Sequence, residues 1–184
     1  RMPGTTNPYH AALWSGSAQS MVDLHPGPQF NDSQVLGIAP GQQVGWAYRF
    51  AQDNHAAMWH GTSASWIDMD PPGSGLSEIW ATCGNAQVGY AFGGLPGGGA
   101  GIWFGTRESY ISLVPYLPSG YVESVATSVA FADGVFYVGG YAFNTTTERQ
   151  EAFLWVGVPS PAGTAVLLLG TCGLRGRRRA RTTT

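Results

Sequence analysis

One five-residue motif occurs four times in this chain and limits the possible folds more than any other feature. Each copy ends in tryptophan, and the four copies read HAALW, HAAMW, GAGIW and EAFLW. The tryptophans are Trp14, Trp59, Trp103 and Trp155, which lie 45, 44 and 52 residues apart. A period of this length with one longer interval predicts a repeat protein in which each repeat is one structural unit.

Four short runs of alternating polar and apolar residues follow one another in each complete repeat. Such alternation is typical of half-buried strands, whereas helical repeats need apolar residues at i, i+3, i+4 and i+7. In the third repeat, Asp133-Gly134 separates two runs and predicts a tight hairpin. The predicted strands of the first two repeats cover residues 10–14, 20–24, 34–39, 43–50, 55–59, 65–69, 78–83 and 87–92.

These runs predict an all-β array of four-stranded antiparallel units. Four strands in about 40 to 45 residues is the size of a propeller blade, so we expect a propeller-like and incomplete array; a β-sandwich or an irregular β stack is the alternative. The repeated tryptophans are predicted to pack between units. We divide the chain into residues 1–9, the end of a preceding unit or a linker; the β repeats 10–54, 55–98, 99–150 and the partial 151–157; and a C-terminal segment, 158–184.

The charge distribution argues against nucleic acid as a partner. Five of the nine basic residues lie between Arg175 and Arg181, and the chain contains no lysine. Residues 1–174 therefore carry a net charge of −7. Because affinity for nucleic acid comes mainly from neutralising phosphates, an acidic body is a poor match for it.

The C-terminal segment has three parts that together predict membrane targeting. The short motif Val158-Pro159-Ser160-Pro161 is followed by a mostly apolar run, residues 162–174, and then by the arginine cluster that includes Arg177, Arg178 and Arg179. As a helix the run would rise about 20 Å, against a hydrocarbon core of about 30 Å. Arginines directly after it would stay on the cytoplasmic side and leave the repeats outside. A buried helix with a solvated basic tail is the alternative.

The polar residues at repeated positions predict structural roles. His10 and His55 correspond to each other and suggest a metal site, but the later copies have Gly99 and Glu151 at that position, so we expect structural histidines at a strand edge. Asp23 and Asp68 suggest the carboxylate pair of a glycoside hydrolase. The third repeat has Ser112 there, which favours hydrogen bonds at a turn or strand end. We predict no catalytic residue, no metal ligand and no cofactor in this segment.

Aromatic residues outside the repeated positions are the candidates for ligand contact. Phe30, Trp80, Tyr116 and Tyr121 lie in or beside the variable segments, where exposed rings can stack on sugars; packing in the core or in loops is the alternative. The glycine-rich stretch 93–101 leads into a predicted strand, and without lysine the chain cannot form a Walker-type phosphate site. That stretch is predicted to connect two repeats.

Two resemblances follow from these motifs. Residues 10–155, with His-Ala-(Ala)-(Leu/Met)-Trp, a (Val/Ile)-Asp-(Leu/Met) run and Gln-Val-Gly-(Trp/Tyr)-Ala, resemble the bacterial extracellular HAF repeat, for which no activity is established. The signature of that repeat is His-Ala-Phe, and Phe153 matches its third residue. The tail resembles the PEP-CTERM sorting signal, with Ser160 at the place of the central glutamate. This resemblance implies membrane sorting by exosortase-type transpeptidases.

Together these features predict an exported, surface-tethered β-repeat protein that is a binding or structural module and not an enzyme. Extracellular polysaccharide or protein would be its ligand. The alternative is a fragment of a secreted carbohydrate-active enzyme or lectin whose active part lies upstream. For the intact reading frame we expect further repeats before Arg1 and a cleavable signal peptide.

Overall fold

The computed structural model describes residues 9–49, 54–95, 97–158 and 166–170, and this part of the chain is all-β. In these ranges four short 3-10 turns connect strands, at Ala18–Ser20, Ser63–Ser65, Arg107–Ser109 and Val114–Tyr116. The strands are β1 (Ala12–Leu13), β2 (Val22–Asp23), β3 (Phe30–Ala39), β4 (Gln42–Arg49), β5 (Asn54–Trp59), β6 (Ile67–Asp68), β7 (Leu76–Thr82), β8 (Gln87–Phe92), β9 (Gly99–Trp103), β10 (Ile111–Ser112), β11 (Tyr121–Ala132), β12 (Val135–Asn144), β13 (Arg149–Val158) and β14 (Val166–Gly170).

In the described ranges the strands form three four-stranded antiparallel sheets and one two-stranded sheet, which we call the half-sheet. Sheet I contains β3 to β6, sheet II contains β7 to β10, sheet III contains β11 to β14, and β1 pairs with β2 in the half-sheet. Strands that follow each other in the chain are neighbours in the sheet, so every sheet is a meander. The predicted antiparallel four-stranded unit is confirmed, whereas the described residues form no closed propeller or barrel.

The sheets do not coincide with the sequence repeats. The HAAMW motif lies in β5, the third strand of sheet I, and residues 67–68 form its fourth strand. The later half of the same repeat supplies β7 and β8, the first two strands of sheet II. Each sequence repeat therefore joins two adjacent sheets, so the covalent chain links the sheets at every repeat.

A bulge in the first strand of each sheet explains the glycine of the Gln-Val-Gly motif. The register shifts by one residue at Leu36, Trp80 and Thr127, which bulge out of β3, β7 and β11. A glycine of the second strand pairs with the residue before each bulge. A Cβ atom there would lie 1.9 to 2.1 Å from a carbonyl oxygen of the first strand, so only glycine fits at these positions, which are Gly45, Gly89 and Gly140.

The hydrophobic core lies between the sheets, and a repeated tryptophan is part of each interface. Trp59 belongs to the same buried cluster as Ala11 and Leu24, which flank the strands of the half-sheet. Trp103 belongs to a cluster with Met58 and other residues of sheet I. Trp155 packs against the corresponding residues of sheet II. All three are 0% exposed, and the Trp103 indole N–H donates to the Met69 carbonyl at 2.9 Å. The predicted packing between units is confirmed at these three positions, whereas Trp14 is 56% exposed.

Two local predictions have different outcomes. Asp133 and Gly134 both have positive φ and form the two-residue turn between β11 and β12, as the Asp-Gly pair predicts. The predicted C-terminal helix is wrong over residues 166–170, which form β14, paired antiparallel with β13. An apolar segment beside the edge of β13 that does not pair with β12 gains interstrand hydrogen bonds there, which favours the strand. Among the described residues no helix is long and apolar enough to cross a membrane.

Candidate functional site: the joints between sheets and the Trp80 cluster

A buried serine joins each sheet to the next one, and we call these places the first joint (Ser33), the second joint (Ser77) and the third joint (Ser124). The backbone N–H of Ala56, in the third strand of sheet I, donates to the Ser77 hydroxyl of β7 at 3.0 Å. Because these hydroxyls are buried, each one satisfies a backbone donor that would otherwise be unpaired. The same bond occurs at two equivalent places with the same length, from Ala11 to Ser33 and from Ala100 to Ser124.

The repeated histidine and aspartate, which sequence reasoning treated separately, form a pair beside this serine. His10 Nδ1 lies 2.9 Å from Asp23 Oδ2, and His55 Nδ1 lies 3.4 Å from the Asp68 carboxylate. Their common separation of 13 residues was the signal for this pairing. The third repeat has Gly99 in place of histidine, and Ser112 in place of aspartate accepts the Val114 amide at 3.3 Å and donates to the Gly97 carbonyl at 2.9 Å.

Each aspartate also holds the turn that leads to the next sheet. Asp23 Oδ1 accepts the backbone N–H of His25 at 2.8 Å, and Asp68 Oδ1 accepts that of Asp70 at 3.0 Å. This is the turn hydrogen bonding that the sequence predicted for the two aspartates. The Asp70 carboxylate in turn accepts a hydrogen bond from Ser77. Turn, histidine and serine therefore form one continuous network at the second joint.

The first joint contains a histidine, an aspartate and a serine without the geometry of a catalytic triad. His25 Nδ1 lies 2.9 Å from Ser33 Oγ, and its Nε2 lies 3.3 Å from the Phe30 carbonyl. A triad needs the aspartate on the second ring nitrogen of the base and an accessible nucleophile. Here Asp23 holds the backbone of His25, and Ser33 is buried and accepts from Ala11. The arrangement connects the sheets.

The two joints shift histidine pKa values in opposite directions. The Asp68 hydrogen bond is the largest influence on His55 and raises its pKa above the ordinary value, against the effect of burial. At the first joint, burial and then the charge of His10, whose ring stacks on that of His25 at 3.9 Å, lower the pKa of His25. For Asp68, burial favours a higher pKa, but hydrogen bonds from His55 and the Asp70 amide lower the pKa overall.

These shifts predict opposite pH dependence of stability for two variants. The raised pKa of His55 adds stability below pH 6.5 that is lost as pH rises through its folded pKa, whereas the lowered pKa of His25 causes loss of stability as pH falls below 6.5. We therefore expect His55→Asn to be more destabilising at about pH 5.5 than at about pH 8, and His25→Asn to be more destabilising at about pH 8. Urea denaturation at both pH values measures this. Parallel pH profiles for the two variants would contradict the assignment.

The bulge in β7 places Trp80 in a half-buried cluster with a carboxylate. The Trp80 indole N–H donates to Glu78 Oε2 at 3.1 Å, and Asn54 Nδ2 donates to Glu78 Oε1 at 2.7 Å. The Trp80 ring meets Tyr90 edge-on, with ring centroids 6.5 Å apart, and Tyr90 lies 5.2 Å from Phe92. Burial and the adjacent Glu78 raise the pKa of Tyr90. Aromatic rings, an amide and a carboxylate are thus combined in what we call the Trp80 cluster.

The other three predicted ligand contacts have different environments. Phe30 is 1% exposed and packs edge-on against Trp66, which is the core packing that we gave as the alternative to ligand contact. A bulky apolar ring at the start of β3 fills the core beside the half-sheet. Tyr116 ends the 3-10 turn before sheet III and packs partly on the core. The Tyr121 ring packs on Phe153, and its hydroxyl donates to Glu151.

Of the predicted sorting residues, Val158 ends β13. Pro159, Ser160, Pro161, Arg177, Arg178 and Arg179 lie outside the described residues.

A second repeated motif, Trp-x-Gly-(Ser/Thr)-x-x-Ser, starts at the repeated tryptophan and was not predicted from the sequence. Its final serine accepts the backbone N–H of the residue after tryptophan at 2.7 to 2.8 Å and ends a 3-10 turn; these serines are Ser20, Ser65 and Ser109. The glycine N–H donates to a glutamine of the second strand, from Gly61 to Gln43 at 2.8 Å and from Gly105 to Gln87 at 2.9 Å. The fixed spacing from each tryptophan was the available signal.

No protein-family model, curated protein or solved structure matches this chain. Within the described residues, no group of three or more His, Cys, Asp or Glu side chains is placed to hold a metal ion. The joints and the Trp80 cluster are therefore the features on which a function can be based.

Proposed function

We propose that this chain is an exported, surface-tethered β-repeat protein whose stacked sheets serve as a binding or structural module without catalysis in this segment. The best support for this proposal is that the residue types which could carry catalysis have structural roles here. The histidines, aspartates and serines at repeated positions form hydrogen bonds within the joints, and the serines are buried there. A nucleophile must be accessible to substrate, so these residues suit a scaffold better than an active site.

We propose further that the array is an open segment of a propeller-like architecture. Three features support this: each sheet is a four-stranded meander, successive sheets pack through an equivalent tryptophan, and the sequence period equals one blade. The repeats of such arrays are stabilised by their neighbours.

The Trp80 cluster supports polysaccharide as the ligand class. Sugar rings offer an apolar face for aromatic stacking and hydroxyl groups for polar partners, and the cluster contains both kinds of side chain. Glu78 is already oriented by Asn54 and by the Trp80 indole, which reduces the cost of ordering it on binding. A lectin-like role fits this chemistry. Tyr116 and Tyr121 are engaged in packing and with Glu151, and they remain secondary candidates.

Polysaccharide binding tests this function. In affinity electrophoresis through gels that contain soluble glucans, mannans or pectins, we expect at least one polymer to retard the chain. Trp80→Ala should weaken that retardation about tenfold or more, and Tyr137→Ala, which removes an exposed ring of sheet III, should leave it unchanged. Equal retardation of both variants, or none with any polymer, would reject the Trp80 cluster as the site.

The tail supports the surface location. The Pro-rich motif, the apolar run and the arginine cluster resemble a sorting signal, so we propose the membrane and exosortase-type machinery as partners, with the arginines on the cytoplasmic side. Fractionation of producing cells should place the protein in the envelope, and Arg177→Ser, Arg178→Ser and Arg179→Ser together should reduce that fraction. A product that is equally cytoplasmic with and without the three substitutions would argue against export.

A further inference from the structure

An open groove of about 520 Å³ lies beside β1 at the start of the array. Leu13 and Trp14 form one wall, and the hairpin between β3 and β4 forms the other with Ile38 and Pro40. Gln43 and the turn at residues 60–61 also line it. Trp14 is 56% exposed and Ile38 is 63% exposed, so the groove has an apolar and accessible surface. Exposed apolar patches of this kind mark interaction sites.

The groove borders an edge of β1 that has no partner strand among the described residues. In sheets I and II the equivalent strands, β5 and β9, each lie between two neighbours. Within the described residues β1 pairs only with β2. An unpaired edge presents backbone N–H and C=O groups that can hydrogen-bond an added strand.

The equivalent space one repeat later shows what fits there. The start of β4 fills that space: Gln43 Oε1 accepts the Gly61 amide at 2.8 Å, and Gln42 Oε1 accepts from Gln87 Nε2 at 3.2 Å. The repeat alignment places Gly16 at the position of Gly61, and Gln43 itself at the position of Gln87. Gly16 has no corresponding glutamine among the described residues.

We propose that the groove binds a β-strand with the Gln-x-Gly-aromatic-Ala pattern of β4 and β8, supplied by a further repeat of the same type. The added strand pairs antiparallel with β1, in the way that extended segments extend sheet edges. The pairing of β4 with β5, Gln43 opposite Trp59, Val44 opposite Met58 and Gly45 opposite Ala57, fixes the register.

By that register, the added glutamine lies opposite Trp14 and reaches the Gly16 amide. The glycine of the added strand lies opposite Ala12. The residue before the glutamine lies against Ile38 and Gln43, as Gln42 lies against Thr82 and Gln87 one repeat later.

Continuity with the interfaces inside the chain selects a repeat strand as the occupant. At each of the three later positions the tryptophan is 0% exposed, and at two of them the loop glycine is held by a glutamine. Among the described residues the start of the array shows neither feature, and one strand of this pattern would supply both together. A sugar ring could cover Trp14, but it would leave the edge of β1 without its hydrogen-bond partners.

A peptide in trans tests the proposal on the full 184-residue chain. The probe is a fluorescently labelled copy of residues 41–49, GQQVGWAYR. We expect saturable binding with a Kd of about 1 mM or tighter, and none for a scrambled peptide of the same composition. Trp14→Ala should weaken binding about tenfold or more, whereas Val122→Ala, at an exposed residue of β11, should not change it.

Hydrogen exchange locates the added strand. Amide exchange of residues 11–14 should slow when the peptide binds, because strand addition protects backbone groups. Absence of binding, equal binding of the scrambled peptide, or protection elsewhere in the chain would overturn the proposal. A dimer of the chain alone that Trp14→Ala converts to a monomer would assign the groove to a second copy and would also overturn it.

Discussion

Replacing Trp59 with alanine is expected to lower the free energy of unfolding by about 3 to 5 kcal/mol. Trp59 is 0% exposed and packs at the interface between the half-sheet and sheet I. Its indole nitrogen makes no hydrogen bond within the described residues, so the loss comes from packing. Truncation leaves a large cavity between two sheets, because the hydrogen-bonded backbone of each sheet limits how far it can move to fill the space. Urea denaturation, followed by tryptophan fluorescence or circular dichroism, measures the change.

The chain contains a matched control for this substitution. Trp14 occupies the same place in the repeated motif, but 56% of its surface is exposed. Trp14→Ala should therefore cost less than about 1 kcal/mol, as surface substitutions usually do. If both variants lose the same stability, or if Trp59→Ala loses less than about 1 kcal/mol, the repeated tryptophan does not stabilise the interface between sheets.

The strands were largely predictable from the sequence because alternation depends on local side-chain pattern. The third runs were the weak point: β3 extends from Phe30 to Ala39, whereas the alternation indicated only residues 34–39. Residues 25–33 contain Pro, Gly, Asn and Asp, which favour a loop. Their later part joins the sheet because pairing with β4 satisfies its backbone, a tertiary effect that the local pattern does not contain.

The joints were less predictable because they unite residues that are distant in the chain. The serine that holds Ala56 is Ser77, 21 residues later, and it belongs to a different sheet. The out-of-phase relation between repeats and sheets has the same origin: a period fixes the length of a unit but does not fix where the unit begins. The exposure of the aromatic candidates was hard to predict for the same reason. Phe30 is buried by residues that are distant in the chain, among them Ala11 and Trp66.

The strand glycines should be as critical as the tryptophans. Gly89→Ala would place a Cβ atom 1.9 Å from the Glu78 carbonyl oxygen and 2.8 Å from Ile79 Cα, which are both backbone atoms of β7. Neither atom can move without breaking the pairing of β7 with β8 or the bulge at Trp80. We therefore expect a loss of about 3 kcal/mol or more, at the upper end of overpacking substitutions.

Gly61→Ala is the matched control for Gly89→Ala, because it adds the same methyl group where no heavy atom lies within 4 Å. Its φ of +82° makes alanine strained there, which costs about 1 to 2 kcal/mol. Denaturation of both variants distinguishes the free-energy cost of the steric clash between β7 and β8 from the cost of an alanine with positive φ. A loss for Gly89→Ala that does not exceed that for Gly61→Ala would show that β7 and β8 can separate freely. In that case the bulge would not fix the position of Trp80, and the Trp80 cluster would lose the rigid support that preorganises Glu78.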